Sequence, residues 1–224
     1  MFSVIENLQI VRNEIEISRS KRTMAKNPPV TLVAVTKNHG VEMMQQAIDA
    51  GIKNIGENRI QEAAEKFKSL SSEVTRHLIG HLQTNKAKQA VRLFDLIHSV
   101  DSENLAAAID KAAFSIGKIQ NVLIQVNLAK EDSKFGVYEE NLQSLIQTVD
   151  ALQNLRLRGF MLIAPNYSDV ENCRPLFRRM NEIFIEISEA RQDFDILSMG
   201  MTHDYKIAIE EGANMVRIGT AIFG

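Results

Sequence analysis

A single cysteine, Cys173, stands in the 224 residues, which excludes an intramolecular disulfide framework. Proline occurs four times, and no proline- or glycine-rich stretch marks a linker between domains. Neither sign of charge dominates. The formal net charge is −2 with both signs interspersed, so there is no basic footprint for nucleic acid and no polybasic membrane anchor. No apolar run is long enough to span a bilayer. The opening residues, MFSVIENLQIVRNEI, carry Glu6 and Glu14 among apolar residues instead of a basic stretch followed by an apolar block. Secretion is not indicated, and the expected compartment is the cytoplasm. A hydrophobic content of 45% is enough to bury a sizeable core, and residues 1–224 are expected to form one domain.

Val4, Leu8, Val11 and Ile15 recur at helical spacing, so an amphipathic helix opens the chain and ends before Pro28 and Pro29. Short β-like runs then alternate with helical periodicity. The strands are expected at Leu32 to Lys37, Asn54 to Asn58, His77 to Gly80, Leu96 to Val100, Val122 to Asn127, Leu157 to Ile163, Ile196 to Gly200 and Met215 to Thr220. Helical stripes are clear in Leu142, Leu145, Ile146, Val149 and Leu152, and in Leu176, Met180, Ile183, Phe184 and Ile187. Ala47 to Gly51 (AIDAG) and Ala208 to Gly212 (AIEEG) each end a helix on a glycine suited to a left-handed cap, three residues before a strand. Eight such units most simply close into a (β/α)8 barrel. The rival, an open doubly wound sheet, would be favoured by G-x-G-x-x-G after a strand, and no strand here is followed by it.

In a barrel the working face lies at the C-terminal strand ends, where Lys37, Asn58, His81, Asn127, Ser198, Gly200, Gly219 and Thr220 would share one mouth. Lys37 follows LVAVT, so its stem can run along apolar walls and bring its amine to that mouth as a nucleophile; alternatively it simply reaches solvent. The last two βα turns, LSMGMT and RIGT, offer the hydroxyls of Ser198, Thr202 and Thr220 and approachable N–H groups at Gly200 and Gly219, which suits a phosphate. The same glycines would also serve merely as tight turns. A lysine facing phosphate turns is equipment for a ligand with both an aldehyde and a phosphate, and pyridoxal phosphate (PLP) carries both. Arg217 shares its side of the strand with Met215 and Gly219; if inward, it needs an acceptor such as a ring nitrogen or a carboxylate. His77 and His81 read as strand and turn, where a spacing of four does not assemble a zinc pair, and Cys173 has no neighbouring histidine in sequence.

The motifs resemble the pyridoxal phosphate homeostasis proteins, the proline synthetase co-transcribed or alanine-racemase-N-terminal-like family. The resemblance runs through VAVTK at Lys37, IGENRIQE at Ile55 to Glu62, IGHLQTNK at Ile79 to Lys86 and HSVDS at His98 to Ser102. It continues through QVNLAKEDSKFGV at Gln125 to Val137, RGFMLI at Arg158 to Ile163, LSMGMTHDY and MVRIGTAIFG. It implies a fold-type III barrel in which Lys37 forms a Schiff base with PLP. Ser198 and Gly200 with Gly219 and Thr220 would hold the phosphate, Arg217 would face the pyridine nitrogen, and Asn58 would border the ring. The family commonly has Tyr and Trp where this chain has Arg59 and Arg76, and it usually continues beyond the residue matching Gly224, so a short or absent final helix is expected.

The resemblance implies a monomeric PLP carrier for vitamin B6 homeostasis, without turnover and without a metal, whose partners are PLP and the apo forms of PLP-dependent enzymes. An arginine at the ring nitrogen disfavours its protonation and weakens the cofactor as an electron sink. The alternative is a racemase of the alanine racemase type. That chemistry needs a second base, supplied in alanine racemases by a tyrosine outside the barrel, whereas Tyr138, Tyr167 and Tyr205 match no such motif here. A barrel binding a sugar phosphate would explain the glycine turns but leave Lys37 without a role.

Overall fold

The computed structural model describes residues 3–23, 27–70, 73–131 and 134–224. Eight parallel strands form a closed barrel in sequence order, β1 (Thr31–Val35), β2 (Asn54–Glu57), β3 (Thr75–Leu78), β4 (Leu96–Val100), β5 (Gln120–Val126), β6 (Leu155–Leu162), β7 (Ile196–Met201) and β8 (Met215–Ile218). β8 pairs with β1 through Thr31 and Met215 at one end and Ala34 and Ile218 at the other. Every run expected to be a strand is one, and the barrel, not the open sheet, is the architecture. The helices alternate with them as α1 (Val4–Ser20), α2 (Val41–Asp49), α3 (Ile60–Lys68), α4 (Ala87–Leu93), α5 (Glu103–Phe114), α6 (Glu139–Ala151), α7 (Arg174–Ser188), α8 (Tyr205–Glu210) and α9 (Thr220–Phe223). No helix among the described residues is long and apolar enough to cross a membrane.

Period-two alternation separates two apolar layers. Outward residues such as Ala34, Ile55, Leu78, Ile97, Val122, Ile124, Phe160, Leu197, Val216 and Ile218 pack beneath the helices. Inward residues Val33, Leu96, Leu123, Met161 and Met215 form a small separate cluster inside the barrel. These residues fill part of the interior beside the polar inward residues of β3, β4, β7 and β8, with His77 level with Leu96, and Ser198 level with Met161 and Met215.

α1 begins with a capping box, in which the Ser3 hydroxyl accepts from Glu6 N and Glu6 Oε2 accepts from Ser3 N at 2.7 Å. Its buried stripe Val4, Leu8, Val11 and Ile15 covers the closing units of the barrel. Asn7 Nδ2 donates to Ile222 O at 3.0 Å, and Glu14 accepts from the Tyr205 hydroxyl and pairs with Lys206.

The two AI-x-x-G segments have one geometry. Gly51 and Gly212 have φ of +88° and +110°, and in each case the residue after the glycine donates five positions back, Ile52 N to Ala47 O and Ala213 N to Ala208 O. Their surroundings differ. A Cβ on Gly51 would meet only the tip of Arg12, at 3.4 Å, whereas one on Gly212 would lie 2.5 Å from Asn181 Oδ1. Gly51→Ala should cost about 1 kcal/mol, the left-handed penalty less the entropy gained from the unfolded chain. Gly212→Ala should cost clearly more; equal shifts of the two urea midpoints would show that the Asn181 contact is not felt.

Candidate functional site

At the C-terminal ends of the strands a cavity of about 440 Å³ opens between Val35, Lys37, Asn38, His39, Asn58, Ile79, Ile163, Met201, Thr202, His203, Arg217, Gly219 and Thr220. That size suits a small-molecule site. A second cavity of about 400 Å³ lies at the opposite, N-terminal end, around Asn54, His77, Asp95 and Asn214. Barrel chemistry belongs to the C-terminal end, so the first cavity is the candidate.

Lys37 is exposed at this mouth, not buried, so its amine is presented to the cavity without being sealed from water. Its backbone is held rigidly. Thr36 N bonds Gly56 O at 3.1 Å, His39 N bonds Thr36 O at 3.1 Å, and between them Asn38 takes a left-handed φ of +64°, a conformation asparagine tolerates. Asn38 N donates to Glu62 Oε1 at 2.7 Å. Beneath the turn, Lys66 of α3 donates to Thr36 O at 2.7 Å, Glu57 Oε1 at 2.8 Å and Glu62 Oε1 at 2.6 Å, while Thr36 Oγ1 donates to Glu57 Oε1 at 2.6 Å. Burial pushes the Glu57 carboxyl up, against the pull of Lys66 and Thr36 in the other direction. Removing the Lys66 amine would strand a buried carboxylate directly behind Lys37.

Arg217, on β8, is 3% exposed and faces inward. Nη1 donates to Ser198 Oγ at 2.6 Å and Nη2 to Leu162 O at 2.9 Å, which fixes the guanidinium plane, and Arg217 is among the residues that line the cavity. Burial lowers its pKa to about 10, partly opposed by Asp204, and the group stays charged at neutral pH. Across the mouth the N–H groups of Gly219 and Ala221 converge on Thr202 Oγ1, at 3.3 and 3.5 Å. Two main-chain donors aimed at one oxygen form the kind of cradle that accepts an anion.

Of the residues singled out in the sequence, Lys37, Asn58, Arg217, Gly219 and Thr220 line the one cavity. Ser198 does not. It is fully buried inside the barrel, where its hydroxyl accepts from Arg217 and meets His98 Nδ1 at 3.2 Å. Gly200 is packed against α8, with its Cβ direction blocked 2.7 Å away by Tyr205 Cα and Ala208 Cβ. Ser198 sits within β7 opposite Met215, whereas Thr202 follows the end of that strand and brings a hydroxyl of the LSMGMT turn to the cavity. Asn127 is buried and ties its own loop together through Glu131 O and Lys134 O. His81 stacks on Phe135 at 3.6 Å, beside a neighbouring cavity lined by Asn58, Arg59 and Lys86. The other departure from the family pattern, Arg76, lays its guanidinium 4.8 Å over the Phe67 ring. Cys173 is buried, and burial raises its thiol to about 11. His39 and His203 also line the cavity, and sequence reasoning missed them; their places next to the Lys37 turn and Thr202 were the available signal.

Residues 14–224 match the family described as the alanine racemase N-terminal domain. The pyridoxal phosphate homeostasis protein of Aquifex aeolicus is 42% identical over 195 residues, 86% of each chain. That of Vibrio cholerae is 35% identical over all of this chain and 97% of its own length. These relatives are named as homeostasis proteins and not as enzymes. Among solved structures, PipY of Synechococcus elongatus with PLP bound is similar at a TM-score of 0.86 and 34% identity, covering 99% of this chain and all of that one. An alanine racemase of Clostridium difficile shares the fold alone, at a TM-score of 0.72 and 19% identity over 98% of this chain and 56% of its own. With such identity over essentially the whole chain, this protein belongs to the pyridoxal phosphate homeostasis family, built on the barrel of the alanine racemase N-terminal domain.

Proposed function

We propose that this chain binds pyridoxal 5′-phosphate at the barrel mouth, covalently through Lys37, and serves as a reversible carrier in PLP homeostasis, not as an enzyme. The observation that carries the proposal is the convergence on one cavity of an exposed amine, an arginine held by neutral acceptors and the Gly219 turn, whose N–H meets Thr202 Oγ1. These match the three polar features of the cofactor. When bound, the group would supply an aldehyde for condensation with the Lys37 amine, with water as the leaving group. Arg217 donates toward the ring nitrogen and, being charged at neutral pH, disfavours its protonation. Thr202, Gly219 and Thr220 receive the phosphate, and Asn58 borders the ring. Ser198 and Gly200 serve this site indirectly, the first as the acceptor that anchors Arg217 and the second by letting β7 lie close against α8.

Borohydride reduction in the presence of PLP, followed by peptide mapping, should place the pyridoxyl group on Lys37. A stoichiometric adduct elsewhere with Lys37 unmodified would remove that assignment. Thr202→Ala and Thr220→Ala should each weaken PLP by up to the ~1.5–3 kcal/mol of a hydrogen bond to a charged group. Unphosphorylated pyridoxal should be little affected; losses of the same size for both ligands would mean that these hydroxyls do not read phosphate.

The racemase alternative needs proton-transfer groups on both faces of the ligand. None of the tyrosines lines the cavity: Tyr205 is buried against Glu14, and Tyr138 and Tyr167 lie elsewhere. His39 and His203 are the cavity's imidazoles and give this second reading its one structural support. Losing one of two such groups costs about 10²- to 10⁴-fold in rate. The isolated chain should accordingly show no robust racemisation of a panel of L- and D-amino acids, and should restore activity to an apo transaminase when loaded with PLP. Fast Lys37-dependent racemisation would favour the enzyme.

A further inference from the structure

A line of polar side chains crosses the interior of the barrel from its base to Arg217. Asn54 on β2, His77 on β3, His98 on β4 and Ser198 on β7 all point inward, and His77, His98 and Ser198 are essentially inaccessible to water. The contacts are Arg217 Nη1 to Ser198 Oγ at 2.6 Å, Ser198 Oγ to His98 Nδ1 at 3.2 Å, His98 Nε2 to His77 Nδ1 at 2.9 Å, and His77 Nε2 to Asn54 Oδ1 at 3.0 Å. Resting on the PLP reading of the cavity, we infer that Asn54, His77, His98 and Ser198 form a one-way hydrogen-bonded chain that positions Arg217 for the ligand's ring nitrogen.

The direction follows from the ends. Arginine has only donors, so Ser198 Oγ must accept at that link. Its own proton then has His98 Nδ1 as acceptor, which makes His98 the Nε2–H tautomer. His98 therefore donates to His77 Nδ1, and His77 Nε2–H donates to the Asn54 carbonyl oxygen. Flipping the Asn54 amide would reverse the histidine links, but then both Arg217 and His98 would donate to Ser198, and its buried hydroxyl proton would have no acceptor in the chain. Only one polarity satisfies every member. Burial supports it by holding both imidazoles neutral, His77 at about 4 and His98 well below its ordinary value. Because adjacent links polarise one another, the arrangement is stiffer than a single contact.

The chain also explains how Arg217 is held without being neutralised. Asp204 acts on it only through space, and among the described residues no carboxylate forms an ion pair with it; its direct anchors are a hydroxyl and a main-chain carbonyl. A carboxylate in direct contact would quench the charge far more than Asp204 does at a distance, whereas neutral acceptors fix the guanidinium and keep it cationic. His98, His77 and Asn54 touch no ligand in this arrangement and act through Ser198 and Arg217.

Nitrogen-15 resonances of labelled histidine in the intact protein test the direction independently of any ligand: both Nδ1 atoms should be unprotonated and both Nε2 atoms protonated. The positioning role is tested by comparing PLP with its 1-deaza analogue, in which a carbon replaces the ring nitrogen. His98→Leu should bind PLP about tenfold more weakly, the equivalent of ~1.4 kcal/mol, and the analogue within about twofold of the unmodified protein. His98→Gln, whose amide can accept and donate in the same order, should stay within about threefold for both. Ser198→Ala makes the same break with a smaller change, should His98→Leu fail to fold. An Nδ1–H on either histidine, or equal losses for PLP and the analogue, would overturn the inference. If the unmodified protein bound neither ligand, the reading of the cavity would fail by itself, and the tautomers would still decide whether the chain runs as stated.

Discussion

A closed parallel barrel gives an inward side chain no route to water except at its two ends, and much of this protein's arrangement follows from that constraint. Apolar inward residues meet it by packing on one another around Leu96, Leu123 and Met161. The polar ones cannot be left unpaired without a cost comparable to a lost hydrogen bond, so they must find one another across strands. Arg217, Ser198, His98, His77 and Asn54 do so. The guanidinium at the top of this line is therefore held by the barrel's own closure and owes nothing to a surface loop.

The opposite wall of the cavity solves a related problem outside the barrel. Lys37 must be presented to the mouth while its backbone stays fixed, and its turn includes a left-handed Asn38. Lys66 reaches under this turn from α3 and ties Thr36, Glu57 and Glu62 into one buried network. Such an ion pair contributes little net stability after desolvation, but its geometry is exacting and its disruption leaves a charge in a dry place. Its value here lies in placing the lysine backbone relative to β2, with the side chain free to meet a ligand.

The two walls also differ in the kind of donor they offer. On the Gly219 side the donors are main-chain N–H groups gathered on Thr202 Oγ1, whose positions are set by the β8–α9 turn. Such groups need no side-chain ordering on binding, which lowers the cost of association. An open mouth with an exposed lysine is consistent with a ligand that arrives and leaves, and with the kinship to homeostasis proteins.

Much of this was legible in the chain as written. The alternation of β-branched runs with helical stripes, and the paired AIDAG and AIEEG caps, specify eight βα units, because periodicity and capping are local properties. Lys37, Asn58, Arg217, Gly219 and Thr220 sit at or beside strand ends, and strand ends are visible in sequence. Ser198 and Thr202 show where such reading stops. Both carry hydroxyls in one glycine turn, but Ser198 lies within β7 opposite Met215 and turns into the barrel, whereas Thr202 lies past the strand end at the mouth, and which residue faces which is a property of two strands. The imidazoles His77 and His98, twenty-one residues apart, become neighbours only when β3 and β4 lie side by side. The sequence by itself determined the succession of elements and the chemistry available at their ends; the tertiary structure alone decided which polar groups face each other, because inside a closed barrel partnership is set by strand neighbours and register and not by distance along the chain.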